Sequence, residues 1–431
     1  MARQIFFFLL CGLICCMAFP SLSLPEWHKV EIGFNLSYPD RVPQKKLALK
    51  KISQIGVHHV RIFEIFHGSI TYQKRLKTAL DLIVEYGMIP MLSISNVPAE
   101  LIPEKKKREE NTILLPAKVK KRIAKTLLYS NRFPPNDLQQ YKKKIQSLLD
   151  FLFHNYGREQ VVQWWFEIGN EPDAPMYFWG TPRQFEQISK AAAEVLKMNG
   201  ILHIGGYGVT HHAVFPVEYL DSRSRAYREI MRNSFSTAND KKLFISFHLY
   251  DRDKLSNYSD PLGKLPTWIR DSQRQLIISE WNVSSQARKA KKIFTSPGAW
   301  GKFFLQLLIS CHRNKVDRVY LFKLMDSNIF SSTQLGAFDI HGRPKGWYLE
   351  FIAIWKAIHR GYQINVLSSH AVLILGKEGE SIIVAGKKPI TMDIKYDLSY
   401  SPLGGNKGQS SSRETTVQAG MWAILKQNKK K

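Results

Sequence analysis

Hydrophobic positions along this chain fall into short continuous runs separated by longer stretches in which apolar side chains return every three or four residues. Continuous apolar runs are what strands buried on both faces look like, whereas the i, i+3, i+4 spacing marks one face of a helix. The runs predict strands at residues 30–35, 59–64, 89–95, 164–170, 202–207, 244–250, 276–281 and 319–324. The periodic stretches predict helices at 44–55, 73–86, 137–156, 181–199, 222–235 and 300–313. Thr181 before Pro182 opens one of these as a helix cap and first turn, and Gly200 closes it. Eight strands alternating with helices predict an α/β fold, a (β/α)₈ TIM barrel.

After Gly361 the texture changes to short alternating runs at 371–375, 381–385, 392–396 and 417–425, broken by Gly, Pro and Ser. These predict a small C-terminal β-sandwich over 359–431, with a flexible loop at 399–413 and a basic tail, appended to a barrel over 24–358. The stretch 99–135 is too long and too charged for an ordinary βα loop, and it leaves the third strand toward the face where barrels build active sites.

The first 23 residues pass from Arg3 through an apolar run at 5–19 to Ser21-Leu22-Ser23, which reads as a signal peptide cut after Ser23. The run is shorter than the roughly 20 residues that span a bilayer, and an uncleaved anchor is the alternative. Either way the chain is expected to be exported, periplasmic or secreted. Cys11, Cys15 and Cys16 lie in this leader, so the mature chain keeps only Cys311, expected as a buried thiol, and forms no internal disulfide.

Charge adds a question of partners. Lys and Arg number 62 against 36 Asp and Glu, a formal charge of +26, gathered at 105–108, 118–122, 142–144, 288–292 and 429–431. Each run alone reads as a solvated loop or helix face. A nucleic-acid partner is not expected, because no zinc-ligand spacing or basic helix feeding a heptad repeat accompanies the charge. An anionic polysaccharide, or a membrane surface met through the N-terminal segment or the basic face, stays open.

Chemistry concentrates at two glutamates. Glu171 follows the fourth predicted strand, and Glu280 lies near the end of the seventh, the positions from which a barrel presents catalytic groups. Neither has a Lys or Arg beside it. Glycoside cleavage needs two opposed carboxyls, one to protonate the leaving oxygen and one to attack or to activate water. No metal or organic cofactor is implied.

The segment Trp164-Trp165-Phe166-Glu167-Ile168-Gly169-Asn170-Glu171-Pro172 resembles the Asn-Glu-Pro motif of the large clan of retaining (β/α)₈ glycosidases, and Ile278-Ser279-Glu280-Trp281-Asn282 is similar to its nucleophile segment. Within the clan the sequence resembles glycoside hydrolase family 39, the group of β-xylosidases, α-L-iduronidases and exopolysaccharide glycosidases. Ser246-Phe247-His248-Leu249-Tyr250 and the run from Gly336 to Tyr348 agree with it.

The resemblance implies Glu171 as acid/base, Glu280 as nucleophile and Asn170 as the partner of the sugar 2-hydroxyl. It also implies Tyr250 as hydrogen-bond donor to the nucleophile, His248 as a subsite residue and Arg61 as the cation that keeps the nucleophile ionised. Trp281, beside the nucleophile, joins the expected substrate-binding residues. Arg61 satisfying a core carboxylate and His248 serving structure are the plainer alternatives. Gly169, Asp173 and Phe322 depart from the Trp, Asn and Trp that many relatives carry. The expectation is a retaining glycosidase, endo-acting on an exopolysaccharide; an exo-acting β-xylosidase-like enzyme and a carbohydrate-binding barrel without activity are the alternatives.

Overall fold

A computed structural model describes residues 28–36, 42–63, 65–66, 72–95, 97–101, 132–175, 177–215, 222–236, 243–250, 262–283, 291, 293–295, 299–326 and 334–359, and the strand segments 363–368, 371–375, 380–385, 390–392, 396–400, 415–417 and 422–427. The leader at 1–23, the middle of the 99–135 stretch, most of the loop expected at 399–413 and most of the basic runs lie outside the described residues.

Strands β1 (Glu31–Leu36), β2 (His59–Ile62), β3 (Ile89–Ile94), β4 (Trp165–Ile168), β5 (His203–Val209), β6 (Leu243–Tyr250), β7 (Gln275–Asn282) and β8 (Arg318–Leu321) close into a parallel barrel. Strand β8 pairs back onto β1, so the sheet has no open edge. Helices α1 (Val42–Ser53), α2 (Tyr72–Glu85), α3 (Leu138–Tyr156), α4 (Pro182–Met198), α5 (Ser222–Ser236), α7 (Ala299–Arg313) and α8 (Gly346–His359) follow their strands, and α6 (Thr267–Arg270) is a single turn. Asp137 caps α3 by accepting from the amides of Gln139 and Gln140, and Thr181 with Gln184 forms a reciprocal capping box on α4. Helix α8 is absent from the sequence expectation. Its run Gly-Trp-Tyr-Leu-Glu-Phe-Ile-Ala-Ile-Trp is apolar on nearly every side, so no 3.6-residue stripe stands out.

The barrel interior is layered. Near the N-terminal ends, Glu31 meets His59 at 3.0 Å and also pairs with Arg318, whose guanidinium lies 4.1 Å from the Trp165 ring centroid. Above them Met91, Trp165, Phe244, Ile277 and Tyr320 form an apolar plug. Gly33 admits the Tyr320 ring, since a Cβ there would fall 2.6 Å from it. Beyond the plug, toward the C-terminal ends, the interior turns polar with Asn35, Arg61, Ser93, Glu167, Ser246 and Ser279, all fully buried. Outside the strands, a continuous apolar core joins barrel and helices and takes in the Cys311 thiol.

Toward the C-terminus, β9 (Gln363–Ser368), β10 (Ala371–Leu375), β11 (Glu380–Ala385), β13 (Tyr396–Tyr400) and β15 (Trp422–Gln427) form an antiparallel sheet in the order β13-β15-β11-β10-β9. A separate pair joins β12 (Ile390–Met392) to β14 (Thr415–Val417). The strand expected at 392–396 spans the break between β12 and β13, and the one expected at 417–425 divides into β14 and β15. Among the described residues, no helix is long and apolar enough to cross a membrane.

Candidate active site

Glu280 owes its direction to one extra residue. On β6 the side chains alternate regularly, so Phe244, Ser246, His248 and Tyr250 share the interior face. On β7, Phe247 pairs with Ile278 but His248 pairs with Glu280, which leaves Ser279 as a bulge. Unbroken alternation would put Glu280 on the helix-facing side with Ile278. The bulge turns it inward and turns Trp281 outward.

Arg61 is the hub of the polar layer. Its Nη1 donates to Glu280 Oε1 at 2.8 Å and to Asn35 Oδ1 at 2.8 Å, and its Nη2 donates to Asn170 Oδ1 at 2.7 Å. Nε and Nη2 both reach Glu167 Oε2, at 2.8 and 2.5 Å. Burial alone would raise the Glu167 carboxyl, yet the Arg61 guanidinium together with His248 and the Ser246 and Ser279 hydroxyls holds the group below its ordinary range. Arg61 therefore compensates a core carboxylate, Glu167, and also binds Glu280.

Tyr250 donates from its hydroxyl to Glu280 Oε2. Burial, reinforced by the Glu280 charge, pushes its phenol well above 10, which keeps the proton in place as a donor. His248 Nδ1 lies 2.9 Å from Glu171 Oε1 and 3.5 Å from Glu280 Oε2. Burial lowers the His248 pKa, so the ring is neutral, and the oxygens facing Nδ1 assign the single proton to that nitrogen. One carboxylate oxygen from each glutamate and a His248 ring nitrogen all lie within 4.8 Å of one another. That trio also has the chemistry of a cation site, but both Glu280 oxygens already accept from Arg61 and Tyr250, and a cation would compete with those donors.

Glu171 sits in the left-handed region with φ of +47°, an uncommon conformation for a residue with a side chain. Its amide donates to Gly208 O at 2.8 Å, and Gly169 before it is anchored where Ser93 Oγ donates to its carbonyl at 2.9 Å. Gly208, at φ of +56°, suits glycine: that backbone strains a side chain, and a Cβ would press tightly on Glu167 Oε1 at 3.2 Å and His248 Nε2 at 3.3 Å. Two residues beyond Glu171, the Asp173 carboxylate accepts from the Thr210 amide at 2.9 Å and from the Thr210 hydroxyl at 2.5 Å. Burial raises this carboxyl to about 6 against those hydrogen bonds.

Six of the seven expected residues thus converge: Arg61, Asn170, Glu171, His248, Tyr250 and Glu280. Trp281 does not. It is 2% exposed and packs edge-on to Trp300 at 5.6 Å and against Phe304 at 5.9 Å, in the layer between β7 and α7. Phe322 does border the site, edge-on to Tyr250 at 6.1 Å and 5.9 Å from Phe63. Sequence reasoning passed over Glu167, Asn35 and Phe63. Glu167 carried a signal, being the single charge inside an apolar strand; Asn35 and Phe63 carried none.

The sequence model described as glycosyl hydrolases family 39 matches residues 52–262 of the chain. A beta-xylosidase of Caldicellulosiruptor saccharolyticus is 27% identical over 373 residues, spanning 80% of this chain and 68% of that protein. The crystal structure of a monomeric beta-xylosidase from Caulobacter crescentus aligns with a TM-score of 0.62 at 13% identity, over 93% of this chain and 96% of the other. A GH39 enzyme from Xanthomonas axonopodis pv. citri aligns at 0.59 and 13% identity, over 92% and 94%. Identities this low in the structural comparisons speak for the fold alone.

Proposed function

We propose that the chain, which matches the model of glycosyl hydrolases family 39 over residues 52–262, is a glycosidase of O-glycosyl compounds that works with retention, with Glu280 as nucleophile and Glu171 as acid/base. The observation that carries this is the close approach of the two carboxylates, with oxygens within 4.8 Å. Retaining enzymes place their carboxyls about 5–5.5 Å apart, whereas inverting enzymes leave about 6.5–9.5 Å for a water.

Arg61 and Tyr250 hold one oxygen of Glu280 each, which fixes the orientation of the attacking carboxylate. Glu280 attacks the anomeric carbon while Glu171 gives its proton to the leaving oxygen. A covalent glycosyl-enzyme results. Glu171 then takes a proton from water, which displaces Glu280 and restores the starting state. The Asn170 carbonyl is taken by Arg61, so its amide nitrogen is the group left to donate to a sugar hydroxyl. Phe63 and Phe322 offer an apolar wall beside Tyr250 for the face of the ring.

For the substrate, similarity to a beta-xylosidase supports release of terminal xylose at least as well as endo cleavage of an exopolysaccharide. The endo reading rests on the basic 99–135 stretch and the charge of +26. A dinitrophenyl 2-deoxy-2-fluoro-β-xyloside tests the mechanism: peptide mapping should find one adduct, on Glu280. Turnover with an adduct on another residue would refute the assignment. Size-exclusion analysis of xylan and exopolysaccharide digests separates xylose release from a fall in chain length.

A further inference from the structure

The described residues that follow Glu171, 172–175 and 177–180, form turns and bends without a helix or strand. Such a segment places a catalytic side chain poorly unless something outside it gathers its backbone. One side chain does. Arg223, in the first turn of α5, donates from Nη2 to Pro172 O at 2.7 Å and to Phe178 O at 2.8 Å, from Nε to Asp173 O at 3.1 Å and from Nη1 to Gly180 O at 3.0 Å. All four acceptors belong to this one segment. The guanidinium also lies 5.2 Å from the Tyr227 ring centroid, one turn along the same helix, which sets its plane.

Two further contacts frame the same segment. The Glu171 amide is tied to Gly208 O, and the Asp173 carboxylate to Thr210, so β5 and its following turn fix the near end while α5 draws in the rest. Glu171 at positive φ stays in place only if the backbone on both sides is over-determined.

We propose that Arg223 is a positioning residue for the acid/base: its guanidinium fork, by collecting the carbonyls of Pro172, Asp173, Phe178 and Gly180, sets where the Glu171 carboxyl stands relative to the leaving oxygen. This rests on the reading of Glu171 as acid/base. Lysine cannot replace the fork, because an ammonium has three donors from one point and cannot span four carbonyls. The nucleophile is supported from β2 and β6 and is independent of Arg223.

The test compares wild type, Arg223→Lys and Glu171→Gln on aryl β-D-xylosides whose phenols span low to high pKa, beside amide hydrogen exchange on the intact chain. For Arg223→Lys, kcat/KM with the 2,4-dinitrophenyl substrate should stay within about threefold of wild type and fall at least about tenfold with the unsubstituted phenyl substrate. Exchange at the Ala174 and Tyr177 amides should quicken at least about tenfold while that of β4 is unchanged. Equal losses on all substrates would mark Arg223 as merely structural and overturn the proposal. So would no added leaving-group dependence in Arg223→Lys while Glu171→Gln shows a steep one. If Glu171→Gln itself shows none, the acid/base reading fails instead. Unchanged exchange at Ala174 and Tyr177 overturns the proposal without reference to any substrate.

Discussion

Among single side chains, Arg61 has the most at stake in both stability and chemistry, because two buried carboxylates depend on one guanidinium. Removing one partner of a buried ion pair leaves an uncompensated charge, at a cost of about 3–5 kcal/mol. Arg61→Met should therefore destabilise by that order in urea unfolding, and Arg61→Met with Glu167→Gln should recover part of the loss; a double variant no more stable than the single would refute the coupling. Glu280→Gln should abolish glycosylation of every substrate. Glu171→Gln should slow poor leaving groups by about 10²–10⁴ and activated aryl groups far less, since the latter need little protonation. The opposite pattern would exchange the two roles. Both glutamates were legible in the sequence because strand order alone puts them at the C-terminal ends. Glu167 was legible as a charge in an apolar strand, but its partner 106 residues away was not.

At the scale of elements, the bulge at Ser279 decides which side of β7 Glu280 faces. Ser279→Ala should keep turnover within about tenfold, the size of one net hydrogen bond. Deleting Ser279 should restore alternation and bring kcat to background; activity retained in the deletion would show that the bulge does not aim Glu280. The turn after β4 carries a pH signature. Asp173 holds its proton in the native state up to about pH 6, whereas the unfolded chain releases it near 4. The folded form binds more protons between those values, so this contribution is full at low pH and is lost as pH rises through 6. Its ceiling is about 3 kcal/mol. Asp173→Asn should flatten the stability profile between pH 4 and 6 in urea titrations, and an unchanged slope would exclude Asp173 as its source. Neither feature was readable beforehand, since a bulge and a raised carboxyl arise from cross-strand register and burial rather than from local pattern.

For the whole molecule, a formal charge of +26 is a long-range property that no single run of lysines conveys. Binding to a polyanion such as polygalacturonate should weaken sharply between about 0.1 and 1 M salt, as the screening length falls from about 10 to 3 Å. Neutral xylan should be held equally at both. Retention of the polyanion that ignores salt would remove electrostatics from substrate recognition. The barrel itself supplies the rigid frame: a closed sheet with an apolar plug beneath a polar layer keeps Arg61, Tyr250 and Glu280 in register.

The sequence by itself determined the eight strands, most of the helices, their barrel class and the placement of Glu171 and Glu280 at strand ends. Those follow from periodicity and covalent order, which are local. It left α8 unseen, because a helix apolar in sequence on nearly every side has no polar face to set its period. Only the tertiary structure decided that Trp281 faces the helices, that Arg61 serves Glu167 and Glu280 together, and that Arg223 binds the turn after Glu171. Arg61 and Glu280 are 219 residues apart. Their meeting is a consequence of barrel closure and strand register, which no stretch of sequence contains.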